Sequence, residues 1–122
     1  DHRGAMPSLV ISTNVKIDSS DKKKELMTKL TQVVAKNLGK PDSFVAIQIN
    51  DNQSMMWGGS DEPCALCNLA SLGAINGKNN KAVSKEVCNL LQEEPFGIRS
   101  NRVYIEFRDV PRENMGYDGS TF

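Results

Sequence analysis

Histidine is nearly missing from this 122-residue chain, and the single one, His2, falls among the first five residues. Residues 1–5 show no apolar periodicity and read as an engineered remnant ahead of an initiator, Met6. With residues 1–6 taken as leader plus initiator, a single domain over residues 7–122 remains, and it holds no histidine. That absence removes histidine-dependent triads and His-containing zinc sites, and with them the commonest general base. Cysteine is scarce as well. Three are too few for a Cys-only zinc site, and an odd number argues against a disulfide framework. Neither metal nor cofactor is expected. Charge of one sign is not in excess, with 15 Lys and Arg against 15 Asp and Glu, so nothing points to nucleic acid. The one basic cluster, residues 22–24, reads as the solvated first turn of a helix. Aromatics such as Phe44, Trp57, Tyr104 and Phe107 do not interleave with basic residues, which disfavours single-strand stacking. No apolar run is long enough to span a bilayer, and no secretory leader is visible. Synthesis in the cytosol without membrane insertion is the expectation.

Apolar patterning is plentiful. Residues 7–13 form a strand candidate rich in Leu, Val and Ile. Polar residues 18–21 can cap a helix, and Leu26, Leu30, Val33, Val34 and Leu38 then recur at helical spacing. Gly39 suits a left-handed stop, and Pro41 forbids continuation. Residues 44–50 read as a second strand. The order then repeats: "CALCNLASLG" is a small-residue strand, residues 81–94 a helix with Val83, Val87, Leu90 and Leu91, and residues 102–108 a strand. Gly58 and Gly59 in "MMWGGS" mark a bend between the halves, and "GYDGSTF" a short edge strand. Two strand–helix–strand pseudo-repeats predict an α+β fold, a four-stranded sheet with both helices on one face.

Few residues can carry chemistry. Cys64 and Cys67 form a Cys-x-x-Cys, yet on a strand two residues three apart point to opposite faces. They read as small buried hydrophobes, and Cys88 as core packing. On its own, Lys40 reads as a helix C-terminal charge and Leu72 as core. Pro7 has two readings. It suits the start of an edge strand, where a missing N–H does no harm. Were the methionine before it trimmed, it would instead carry a free secondary amine, which is a base and a nucleophile.

Five segments, "MPSLVISTNV", "LGKPDSFVAIQIND", "MMWGGSDEPCALCNLASLGAI", "RVYIEFRD" and "MGYDGSTF", closely resemble the macrophage migration inhibitory factor family, the cytokine-like branch of the tautomerase superfamily. The likeness runs from Met6 to Phe122. It implies a homotrimer whose sheets line a central channel, with an active site between neighbouring subunits. It implies keto–enol tautomerisation of aryl pyruvates or D-dopachrome-type substrates, with the Pro7 amine as general base. An apolar pocket and a nearby cation would keep that amine neutral. By the same resemblance Lys40 holds the substrate carboxylate, and Leu72, with Ser71 beside it, borders the substrate. Tyr104 supplies a hydroxyl from the adjoining subunit. Met115, Tyr117 and Phe122 form an apolar rim, with Phe44 at its mouth.

The chain departs from the family pattern in several places. Glu106 stands where vertebrate members have an asparagine, Tyr117 where they have a tryptophan, Phe44 a tyrosine and Ala70 a histidine. Glu106, inferred to lie near the substrate carboxylate opposite Lys40, could repel an anion. Residues 1–6 also acylate Pro7, so the chain as it stands should lack most activity. A signalling protein with vestigial catalysis is the alternative, and the resemblance gives it a cell-surface receptor, the class II invariant chain. Family members leave cells without a signal peptide, so a cytoplasmic and secreted protein is implied. A thiol oxidoreductase using Cys64 and Cys67 is a third, weaker reading.

Overall fold

The computed structural model describes residues 6–122; the proposed remnant, residues 1–5, lies outside the described residues. Four strands form one mixed sheet: β1 (Pro7–Thr13), β2 (Ala46–Asn50), β3 (Ala65–Ser71) and β4 (Val103–Asp109). Helix α1 (Ser20–Leu38) joins β1 to β2, and α2 (Gly77–Gln92) joins β3 to β4. The spatial order is β2-β1-β3-β4. Each half is a parallel strand–helix–strand unit, and the halves meet antiparallel along β1 and β3.

Period-two alternation sorts the sheet into two faces. Leu9 and Ile11 on β1, and Ala65, Cys67 and Leu69 on β3, are buried against the helices. Leu30 and Val34 of α1, with Val83, Val87 and Leu91 of α2, close that core from above. Each such side chain contributes roughly 1.5–3 kcal/mol by leaving water. The opposite face carries no helix. Leu66 is 48% exposed there and Tyr104 68%, beside Asn68 and Glu106.

The helices stop where local chemistry dictates. Ser19 caps α1 by accepting from the Lys22 N–H at 3.2 Å. At its far end Gly39 takes φ +70, and the Lys40 N–H donates to the Ala35 carbonyl at 3.0 Å. Helix α2 begins at Gly77, earlier than residue 81, because Asn76 caps it through the Asn79 N–H at 2.9 Å. Residues 44–50 are not all strand: Asp42–Phe44 is a single 3₁₀ turn after Pro41, and β2 starts at Ala46. Within the basic cluster, Lys23 is not merely solvated. Its Nζ lies 2.8 Å from Asp51.

Two tight turns complete the fold. Gly58 and Gly59 (φ +58 and +77) close a turn between Trp57 and Ser60. At the C-terminus β5 (Gly116–Tyr117) pairs with β6 (Ser120–Thr121) across Asp118 and Gly119 (φ +52 and +80). The Phe122 N–H donates to the Met115 carbonyl at 3.2 Å, folding this hairpin back towards the start of β1.

Candidate functional site

Pro7 opens β1 and is buried. It lies on a cavity of about 270 Å³ walled by Phe44, Met115, Tyr117 and Phe122. The rings of Tyr117 and Phe122 stack with centroids 5.3 Å apart and planes 16° apart, so the terminal hairpin offers a flat aromatic wall. Phe44 reaches the opposite side from the turn before β2. The Lys40 ammonium stands 5.2 Å from the centroid of that ring, which keeps a cation at the mouth. Six of the expected site residues (Pro7, Phe44, Met115, Tyr117, Phe122 and Lys40) therefore gather at one end of the sheet. The cavity also takes in Ser8, Ser43 and Ala46. Ser8 and Ser43 neighbour Pro7 and Phe44 in sequence, and Ala46 lies two residues past Phe44 at the start of β2.

Met6 is 8% exposed and lines the same cavity. Its carbonyl carbon acylates the Pro7 nitrogen, so in this chain that nitrogen is an amide.

Leu72 is buried at the end of β3. Ser71 pairs directly with Pro7 in the β1–β3 register. Its hydroxyl, however, is fully buried and donates to the Gly73 carbonyl at 2.8 Å, so it is not offered to a ligand. Tyr104 and Glu106 are not brought to this cavity by their own chain. Tyr104 is in register with Leu66, and Leu66 with Ser12, two strands across and five residues along from Pro7. That is about 10 Å across the strands and about 17 Å along them. Glu106, in register with Asn68 and Val10, is about 10 Å away in each direction. The position inferred for Glu106, opposite Lys40, is therefore not formed within one chain. Only the open face of a second copy could bring either residue to the site. Tyr104 packs on Trp57, with centroids 4.3 Å apart.

The placement of Cys64 and Cys67 does not favour a redox pair. Cys67 sits in the helix-side core, while Cys64 is buried outside that cluster, just before β3 begins. Burial pushes the Cys67 thiol up to about 12, with the neighbouring Cys88 adding to the rise. At neutral pH such a sulfur is almost entirely thiol and a poor nucleophile. A larger open cleft of about 550 Å³, lined by residues such as Asn14, Gln53 and Met56, contains Asp61 as its one titratable group. Among the described residues no helix is long and apolar enough to cross a membrane.

Comparison with known proteins covers the whole described chain. The family model described as macrophage migration inhibitory factor (MIF) matches residues 6–122. The chain is 44% identical over 117 residues to a macrophage migration inhibitory factor of Xenopus tropicalis, covering 96% of this chain and 99% of that protein. It is 42% identical, with the same coverage, to a macrophage migration inhibitory factor homolog of Brugia malayi. In three dimensions it is similar to the crystal structure of a homologue from Prochlorococcus marinus. There the TM-score is 0.87 at 32% identity, over 94% of this chain and 98% of that one.

Proposed function

The chain belongs to the macrophage migration inhibitory factor family, and from that premise we propose that it is a keto–enol tautomerase of aryl pyruvates whose general base is the amine of Pro7. Membership supports a cytokine- and tautomerase-type protein in general, and a homotrimer. The observation that carries the finer reading is the placement of Pro7 on an apolar, aromatic-walled cavity with Lys40 at its mouth.

The chemistry follows from that placement. The aryl ring lies between Phe44 and the Tyr117–Phe122 wall, and Lys40 draws in the carboxylate. The neutral Pro7 nitrogen removes a proton from the carbon next to the ketone. The C–H electron pair becomes the C=C bond of the enol, and the carbonyl oxygen takes up a proton. Run backwards, the ammonium of Pro7 returns its proton to carbon. Nothing is oxidised or reduced, so no cofactor is called for. A dry cavity favours the uncharged amine. Tyr104 of a neighbouring copy supplies a hydroxyl to the same site.

Residues preceding Pro7 must be removed for this to operate. The full chain and a protein beginning at Pro7 should be compared on the enol of an aryl pyruvate. Freeing the amine should raise the rate by ~10²–10⁴-fold, the usual worth of a positioned base. Equal rates would sink the mechanism. The reading extends to a protein found in the cytoplasm and released without a signal peptide. It also extends to binding of the class II invariant chain, which surface plasmon resonance against the receptor ectodomain would check.

A further inference from the structure

Charge is balanced over the chain but not over the structure. Helices α1 and α2 hold eight lysines against three carboxylates, Asp21, Glu25 and Glu86, while the whole chain has 15 basic and 15 acidic residues. The helix layer is therefore basic and the rest of the chain acidic. Both helices pack on one side of the sheet, so copies that associate through the helix-free face leave this layer turned outward.

Helical spacing gathers the charge of α2 into one row. Val83, Val87 and Leu91 face the core. Lys78, Lys81 and Lys85, three and four residues apart, lie on the opposite side of the helix and are exposed. They cover about 10 Å of its length. Asn89 and Gln92, also exposed, continue the row with amide donors to about 21 Å. The row contains no carboxylate. Glu86, next to it in sequence, is turned towards α1, where Lys36 Nζ at 2.6 Å and Asn37 Nδ2 at 2.7 Å donate to it. The side chain of Lys36 is still 66% exposed. Lys78, Lys81 and Lys85 make no hydrogen bond or ion pair among the described residues.

The chemistry of the row selects among polyanions. Neither helix carries an aromatic side chain on which bases could stack. The large exposed apolar residues, Met56, Leu66, Tyr104 and Tyr117, all lie outside the helices, so this face has nothing to insert into a bilayer. A straight row of ammonium groups that runs on into amide donors suits a linear chain bearing sulfates and hydroxyls together.

We propose that the outer face of α2, with Lys36 beside it, binds a linear sulfated polysaccharide of the heparin class. This surface is separate from the Pro7 cavity and does not depend on the tautomerase reading.

A heparin dodecasaccharide, titrated calorimetrically into the full chain at about 0.15 M ionic strength, tests it. Binding should be measurable and should weaken as salt rises. Lys78→Gln, Lys81→Gln and Lys85→Gln together should weaken it about tenfold or more. Arginine at the same three positions should retain most of it, which separates lost charge from lost folding. Lys16→Gln, Lys22→Gln and Lys24→Gln together remove as much charge elsewhere and should have a much smaller effect. Absence of binding, or equal loss from the two glutamine triples, overturns the site. Equal affinity for a short DNA duplex or for phosphatidylserine vesicles overturns its assignment to a polysaccharide.

Discussion

The sulfur of Cys67 shows how burial decides what a residue can do. Its thiol is lifted from an ordinary value of 9.0 to about 12. At pH 8 that lowers its thiolate fraction by about 10³-fold. Iodoacetamide should therefore leave Cys67 unlabelled in the native protein and modify it readily after denaturation, as peptide mass mapping would show. Rapid native labelling would contradict the burial. Glu106 depends instead on assembly. If a neighbouring copy brings it to the substrate carboxylate, Glu106→Asn should improve KM for an anionic substrate in the protein beginning at Pro7. The gain should be much smaller for the uncharged ester and should shrink in high salt. An unchanged acid-to-ester preference would place Glu106 away from the ligand. The aromatic wall of the site was legible only through the family resemblance. Phe44 and the trio of Met115, Tyr117 and Phe122 are far apart in sequence, and no spacing rule brings them together.

Helix α1 is tied to the sheet by one carboxylate. Asp51, at the end of β2, accepts from the Ile17 N–H and from the Lys23 ammonium, both at 2.8 Å. These contacts hold its carboxyl below the ordinary value of 3.8, the Lys23 hydrogen bond first and the Ile17 N–H second. The folded-state value is thus lower than the unfolded one. The stability gained is present above pH 3.8 and is lost as pH falls through the folded-state value. Asp51→Ala should cost about 1–3 kcal/mol near neutrality, because the Ile17 N–H loses its partner. The part of the cost that rests on the charge paired with Lys23 should be lost in strong acid, while the part from the Ile17 N–H, which a protonated carboxyl still satisfies, should remain; urea unfolding at several pH values checks both. At this scale the sequence was largely readable. Leu26, Leu30, Val33, Val34 and Leu38, picked out by helical spacing, are the buried residues of α1. The start of α2 was not readable, because Gly77, Asn79 and Asn80 are weak helix formers and the Asn76 cap alone fixes the boundary. The turn at Phe44 escaped for a similar reason. Its alternating pattern continues into β2, but the Val45 N–H donates to the Asp42 carbonyl at 3.0 Å and closes a turn.

The whole molecule is incomplete as one chain. The sheet has one face without helices, with Leu66 and Tyr104 exposed on it, and Tyr104 is too far along the strands to reach Pro7 of its own copy. The homotrimer that family membership supports would answer both facts by covering the face and, as proposed, bringing Tyr104 of one copy to the cavity of the next. Light scattering at micromolar concentration should give three copies, and a monomer would contradict the shared site. The most direct test of the account combines two damaged chains. One keeps residues 1–6, so that its Pro7 nitrogen is an amide and not a base; the other begins at Pro7 and carries Tyr104→Ala, so that it lacks the proposed borrowed hydroxyl. Each should be nearly inactive alone on an aryl-pyruvate enol. Refolded together in equal amounts, they should recover about a quarter of the intact sites, the fraction expected when chains mix at random in a ring. Activity no greater than the mean of the two unmixed proteins would contradict a Pro7 base working in a site built from two copies.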